Sequence, residues 1–332
     1  MPLQDLRTGL FRLPALQHAV SSFELKISPY YHEAERQAHA WFDSYEVYTG
    51  LKRENYLSHR YPDFAARVYP EAHTQAHLET CMALMLWYDD LSDESGLKHN
   101  VEGLELAANI SIQALRDPDG PAPTLRFARM LQDFFRKMRA TGSAGCCRRL
   151  VQGFEDFARG SLRQTALRIE GKTASIEEFV RIRRDSVAVK LMFAFMEYAM
   201  DLQIPDEVFN DESIASAVEA AGDVVGWNND ICSFNNEQSH EDNQNIVYCT
   251  LVEKNCTLQE AMDFVAGMMQ DRIKDYLALR EARPSFHLLD VRKYFKGLEY
   301  CISGSLHWYY HSKRAHCPFL QCARPLILFI RI

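Results

Sequence analysis

Apolar residues recur every three or four positions along most of this chain, which is the period of an amphipathic α-helix. The clearest stretch comprises Leu288, Val291, Tyr294, Phe295, Leu298, Cys301, Ile302, Ser305 and Trp308. No segment shows the sustained apolar–polar alternation of a half-buried strand, and no internal repeat is visible. The pattern therefore predicts an all-α protein of about ten to twelve helices.

Capping and loop signals mark where some of these helices begin and end. Ser175 with Glu178, and Thr257 with Glu260, have the spacing of capping boxes, so we expect a helix to open at each place. The Pro- and Gly-containing stretch 117–123 predicts a loop. No linker or change of composition divides the chain, so we predict one α-helical domain over residues 1–332.

Composition and charge exclude several classes of protein. The net charge of −8 and the lack of a basic run argue against a nucleic-acid surface. The nine cysteines show no C-x-x-C spacing, which favours reduced, buried thiols in a cytosolic protein. Residues 1–20 lack the apolar core of a signal peptide, and no apolar run approaches the ~20 residues of a membrane span. We expect a cytoplasmic protein; the apolar stretch 325–330 is either a docking segment or a sequence oddity.

The sequence between residues 229 and 237 carries the clearest chemical signal. Asn229, Ser233 and Glu237 are spaced at i, i+4 and i+8, so on a helix all three face one side. An amide oxygen, a hydroxyl and a carboxylate are the hard oxygen ligands that Mg²⁺ takes. Asp230 is turned by about 100° from Asn229. We therefore expect Asp230 either to support the ligands from behind or to lie on the surface.

A second acidic cluster lies at residues 89–94, after the apolar run 81–88. Most such clusters are solvated helix ends, but acids at a helix C-terminus oppose the helix dipole, a cost that a bound cation would offset. Asp89 and Asp93 are at i, i+4 and are candidate metal ligands. For Asp93 an ordinary salt bridge is an equally good interpretation.

These two motifs resemble those of the class I terpene cyclases, in particular the fungal sesquiterpene synthases. The aspartate-rich motif of that family matches 89–93, and its N-D-x-x-S-x-x-x-E motif matches 229–237. Arg183 precedes Asn229 by 46 residues, at the place of the family's diphosphate-sensing arginine. Trp308 and residues 312–314 are similar to its final active-site helix. The resemblance covers about residues 10–316.

The resemblance implies a helical bundle around a central cavity and a lyase that cyclises farnesyl diphosphate to a sesquiterpene, releasing diphosphate. It implies three Mg²⁺ ions and a small-molecule prenyl diphosphate as the partner; a monomer and a homodimer both stay open. The implied metal ligands are Asp89, Asp93, Asn229, Ser233 and Glu237. The implied diphosphate contacts are Arg183, Asn229 and Arg314, and the implied catalytic residues are Arg183 and Trp308.

A reactive carbocation also needs a dry, apolar and aromatic pocket, where cation–π contacts can stabilise it. The candidates are Met85, Trp87, Tyr88, Phe193 and Trp308, and for most of them ordinary core packing is the simpler explanation.

The chain departs from the family at two places. Ala188 stands in a region where the family often has a glycine, and Arg314 is followed by Ala315 instead of a tyrosine.

Two alternative functions remain beside the cyclase. A chain-elongating prenyltransferase of related fold usually carries two aspartate-rich motifs, whereas the second motif here is of the Asn/Ser/Glu type. The other alternative is a cyclase-like protein whose altered C-terminal segment impairs catalysis.

Overall fold

The computed structural model describes residues 10–93, 97–281, 288–312 and 327–329. These ranges contain thirteen α-helices, somewhat more than the sequence predicted, and the all-α prediction is confirmed. The helices are α1 (Tyr31–Asp43), α2 (Gly50–Ser58), α3 (Tyr61–Val68), α4 (Gln75–Asp93), α5 (Val101–Arg116), α6 (Arg126–Thr141), α7 (Ala144–Ile169), α8 (Ile176–Ser186), α9 (Val189–Ala199), α10 (Glu212–Ser239), α11 (Ile246–Lys254), α12 (Leu258–Glu281) and α13 (Leu289–His311). Two short strands, β1 (Leu10–Arg12) and β2 (Ile327–Phe329), pair antiparallel.

Both predicted capping boxes open helices. The Ser175 hydroxyl accepts a hydrogen bond of 3.1 Å from the Glu178 amide at the start of α8. At the start of α12, the Thr257 hydroxyl accepts from the Glu260 amide at 3.3 Å, and the Glu260 carboxylate accepts from the Thr257 amide at 2.8 Å. These bonds satisfy amide groups that the first helical turn leaves without partners, so the sequence alone locates both helix starts.

The helices pack around α10, which contacts α8, α11, α12 and α13. On the other side of the bundle, α7 packs against α5, α8 and α9, and α4 packs against α1, α3, α6 and α9. Two fully buried tyrosines in this core have hydrogen-bond partners: the Tyr69 hydroxyl donates to the Met192 carbonyl at 3.1 Å, and that of Tyr276 to the Phe295 carbonyl at 2.9 Å. The polar tip of each ring is therefore buried without the penalty of an unmade bond.

A sharp break separates α8 from α9. Ala188 has a φ of +59°, in the left-handed region, and the chain changes direction there. Two glycines let neighbouring helices approach the break closely. A Cβ at Gly160 of α7 would lie 2.6 Å from the Ser186 amide nitrogen, and one at Gly226 of α10 would lie 3.3 Å from a Val187 methyl. Ala188 can therefore take the place of a glycine at this break, because the packing of α7 and α10 against residues 186 and 187 stabilises the bent backbone.

The apolar C-terminal stretch contributes β2, whose Leu328 is paired with Phe11 of β1. For residues 327–329 this favours the docking-segment interpretation over a sequence oddity. All seven cysteines in the described ranges are free thiols, and five of them are buried, as the sequence predicted. None of the helices described is long and apolar enough to span a bilayer.

Candidate active site

A cavity of about 260 Å³ lies between α3, α5, α7, the α8–α9 break, α10 and α13. Apolar and aromatic side chains, among them Phe64, Leu104, Phe157 and Trp308, form much of its wall. Several buried polar atoms in the wall have no hydrogen-bond partner among the described residues: Gln164 Nε2, Ser186 Oγ and Gln244 Oε1. Because buried polar groups are nearly always hydrogen-bonded, these atoms indicate a site for a polar ligand or water.

The motif of α10 contributes one polar edge of this cavity. Asp211 caps the helix, accepting hydrogen bonds from the Ser213 and Ile214 amides at 2.9 and 3.2 Å. Further along, Asn229 and Glu237 line the cavity. The Ser233 hydroxyl donates to Glu237 Oε1 at 2.8 Å, and Asn229 and Glu237 line the same cavity, so the three candidate metal ligands lie on one side of α10.

Arg183 reaches from the last turn of α8 to this row. Its Nη2 lies 2.5 Å from Asn229 Oδ1 and 2.5 Å from Asp230 Oδ1. Asp230 is fully buried, so the surface position that the sequence left open for it is wrong. Burial raises the pKa of Asp230 above its ordinary value, and the Arg183 charge opposes that rise. Asp230 thus supports the site from behind, paired with an arginine in the cavity wall.

Glu237 is the carboxylate of the row, and the positive charge of Arg183 only partly offsets the effect of its burial. Burial, reinforced by the negative charge of Asp230, raises the pKa of Glu237 to about 7. Asn245 Nδ2 donates to Glu237 Oε2 at 2.7 Å and to the Asp230 carbonyl at 2.7 Å. A carboxylate held in this way is favourably placed to be stabilised by a cation. The amide, hydroxyl and carboxylate donors therefore fit a hard divalent metal ion.

Sequence reasoning missed Asn245. Its side-chain oxygen caps α11, accepting from the Val247 amide at 2.8 Å, while its Nδ2 holds Glu237. An asparagine directly before the apolar run 246–251 is a recognisable capping signal. That signal predicts the helix start, but not the contact with Glu237.

A second arginine, Arg168, was also missed. It lines the cavity from α7 and forms a bidentate pair with Asp242, with N–O distances of 3.0 to 3.1 Å. Both side chains are only 12% exposed. The pair ties the end of α7 to the segment that follows α10, and it brings a further cationic group to the cavity wall.

The aromatic part of the wall comes largely from α3 and α13. Trp308 lines the cavity, and its Nε1 donates to the Arg60 carbonyl at 3.1 Å. Its ring lies 5.0 Å from that of Phe64, and the adjacent Tyr309 accepts a hydrogen bond of 2.5 Å from Asn229 Nδ2. Of the other predicted wall residues, Met85 lines the cavity, whereas Phe193 is buried in the core and is absent from the cavity wall.

The remaining predicted residues lie outside the description. Helix α4 ends at Asp93, but the side chains of 86–93, and with them Asp89, Asp93, Trp87 and Tyr88, are not among the described groups. Arg314 and Ala315 also lie outside the described residues. Among those described, no group of three His, Cys, Asp or Glu side chains has metal-binding geometry. The row on α10 holds a single carboxylate, and its other two oxygen atoms come from an amide and a hydroxyl.

Comparison with known proteins places these features in a family. The model of terpene synthase family 2, C-terminal metal binding, matches residues 80–275. Sesquiterpene synthase Agr1 of Cyclocybe aegerita is 31% identical over 271 residues, which is 81% of this chain and 75% of the relative. Sesquiterpene synthase 1 of Postia placenta is 31% identical over 272 residues, or 81% and 77% of the two chains.

A solved structure supports the fold. The SVS_A2 protein from ancestral sequence reconstruction superposes with a TM-score of 0.80, covering 96% of this chain and 93% of that one at 21% identity. The region matched by the family model contains Arg183 and the whole row from Asn229 to Glu237.

Proposed function

The chain belongs to terpene synthase family 2 and is a terpene cyclase of the lyase class, and from that premise we propose that it is a Mg²⁺-dependent sesquiterpene synthase acting on farnesyl diphosphate. One observation carries the proposal. Arg183 contacts Asn229 at the head of the Asn229–Ser233–Glu237 row, in the wall of a largely apolar cavity. A site of this kind pairs groups for an anionic head with a dry space for a hydrocarbon tail.

The metal, whose presence the family description indicates, would be held by Asn229, Ser233 and Glu237, with Asp89 and Asp93 as further ligands. Bound Mg²⁺ supplies electrostatic stabilisation of the negative charge that develops on the diphosphate leaving group. The single carboxylate of the α10 row leaves most of the ion's charge for the substrate.

The chain's own residues have distinct tasks in this scheme. Arg183, and Arg314 from the C-terminal segment, would donate forked hydrogen bonds to diphosphate oxygens and neutralise their charge. Trp308 would face the carbocation and stabilise it through its ring. Ser186 and Val187 line the cavity at the C-terminal end of α8, where the partial negative charge of the helix dipole also favours a cation.

The substrate length rests on two further observations. The relatives that are 31% identical are named sesquiterpene synthases. A sesquiterpene is a fifteen-carbon compound, so the names favour a fifteen-carbon substrate. The Asn/Ser/Glu composition of the second motif also argues against chain elongation.

Incubation of the purified protein with Mg²⁺ and farnesyl diphosphate, followed by analysis of the organic extract, tests the proposal. We expect a cyclic sesquiterpene, and none when the metal is chelated. Parallel incubations with geranyl and geranylgeranyl diphosphate test chain length. Longer diphosphates in the aqueous phase would indicate a prenyltransferase. No product from a folded protein would indicate an impaired cyclase.

A further inference from the structure

Asn229 can serve as a metal ligand in only one of its two amide orientations. Its oxygen can coordinate a cation, whereas its NH₂ group is a donor that repels one. The two orientations differ by a rotation that exchanges oxygen and nitrogen without changing the shape of the side chain. A site that relies on this ligand therefore gains affinity from any contact that holds the oxygen towards the ion.

The structure shows contacts on both ends of this amide. Asn229 Nδ2 donates to the Tyr309 hydroxyl at 2.5 Å, and Asn229 Oδ1 accepts from Arg183 at 2.5 Å. A carbonyl oxygen has two lone pairs, so Oδ1 can accept from Arg183 and still ligate an ion. The hydroxyl of Tyr309 acts as the acceptor for the NH₂ group, which favours the orientation that a metal ligand needs.

The ring of Tyr309 is itself held in place. It packs edge-on against Trp308 with ring centroids 5.0 Å apart, and against Phe64 at 6.4 Å. Trp308 is anchored in turn by its hydrogen bond to the Arg60 carbonyl. Tyr309 also lines the cavity, so its hydroxyl joins the aromatic wall to the metal-binding row.

We propose that Tyr309 is a positioning residue for metal binding, whose hydroxyl holds the Asn229 amide with its oxygen towards Mg²⁺. This inference rests on the proposed metal role of Asn229. Under this proposal, α13 contributes to metal binding through Tyr309. This role is separate from the diphosphate contact implied for Arg314, which follows α13 in the sequence.

The substitution Tyr309→Phe keeps the ring and removes the acceptor. The matched control is Tyr310→Phe, because that neighbouring hydroxyl donates to the Pro14 carbonyl at 2.5 Å and is absent from the cavity wall. Calorimetric titration of Mg²⁺ into protein with inorganic diphosphate measures affinity without turnover. We expect the Mg²⁺ dissociation constant to rise about three- to tenfold in Tyr309→Phe and less than twofold in the control, the range for one lost hydrogen bond.

Testing Tyr309→Phe in a second variant, Asn229→Asp, distinguishes an effect on the orientation of the Asn229 amide from a general effect on the structure. Asn229→Asp offers two equivalent oxygens and leaves no amide orientation to hold, so adding Tyr309→Phe to it should not weaken Mg²⁺ binding further. An equal loss in both backgrounds would overturn the proposal, as would a Tyr309→Phe protein with unchanged Mg²⁺ affinity. Thermal unfolding without ligand checks that each variant folds.

The test also separates this inference from the proposed function. Wild-type protein that binds neither Mg²⁺ nor diphosphate would contradict the proposed function and the inference together. Wild-type binding with an unaffected Tyr309→Phe variant would contradict the inference alone.

Discussion

The ion pair between Asp230 and Arg183 is the contact whose disruption we expect to cost most. Asp230 is fully buried, and the Arg183 side chain is only 11% exposed. Opposite charges about 4 Å apart attract by about 4 kcal/mol at an effective dielectric of 20. Removing one partner of a buried pair costs about 3–5 kcal/mol, because the other charge stays buried without compensation.

The substitution Asp230→Asn removes the charge and keeps the shape, including an acceptor for the Ile246 amide, which now donates to Asp230 Oδ2 at 3.3 Å. We expect the free energy of unfolding to fall by about 3 kcal/mol. With an unfolding entropy of about 2.1 cal/mol/K per residue, 332 residues give about 0.7 kcal/mol/K, so Tm should fall by about 4 °C.

Thermal and urea unfolding of Asp230→Asn, Arg183→Gln and the double variant measure the pair directly. The double variant leaves no isolated charge, so it should be more stable than the sum of the single losses by about 2 kcal/mol. As a control, Asp271→Asn breaks a fully exposed pair with Lys274 and should leave the stability of the protein essentially unchanged. Mg²⁺ with inorganic diphosphate should restore part of the loss in Asp230→Asn, because a bound anion faces Arg183.

Two results would refute this reasoning. One is a loss below about 1 kcal/mol in Asp230→Asn, which would show that water or another group compensates Arg183. The other is strict additivity in the double variant, which would show that the two charges do not depend on each other.

Three further predictions concern the proposed metal ligand Glu237, the helix break at Ala188 and stability in acid. Glu237→Gln should raise the Mg²⁺ concentration needed for half-maximal rate and lower turnover, because the row loses its only carboxylate; initial rates against Mg²⁺ measure this, and an unchanged dependence would contradict the assignment. Ala188→Val should cost at least about 1–2 kcal/mol in urea unfolding, because a β-branched residue is strained at positive φ, while Ala188→Gly should stay within about 1 kcal/mol; equal stability of the two variants would argue against strain at the break. Burial, and next the neighbouring His311, lower the pKa of His307 from 6.5 to about 4, so its contribution to stability is complete above about pH 6.5 and is lost as the pH falls towards 4; unfolding at pH 7.5 and pH 5 should show a smaller decline for His307→Gln, and an identical decline would disprove the link.

Local features of this protein could be predicted from its sequence because they depend on backbone geometry over a few residues. The apolar period of three to four residues predicts helices, and the hydroxyl and carboxylate of Ser175 and Glu178 predict where one begins. The row on α10 belongs to the same class, since residues at i, i+4 and i+8 share a side of any α-helix. The family motifs added the expectation of a diphosphate site.

Contacts between helices were decided only by the tertiary structure. Arg183 meets Asn229 across 46 residues, Asn245 meets Glu237 from the next helix, and Tyr309 meets Asn229 across 80 residues. An apolar stripe predicts that one face of a helix is buried. It does not predict which helix covers that face or which polar side chains come into contact. Burial of Asp230 and the raised pKa of Glu237 follow from that packing, because a low dielectric arises only where several helices together exclude water.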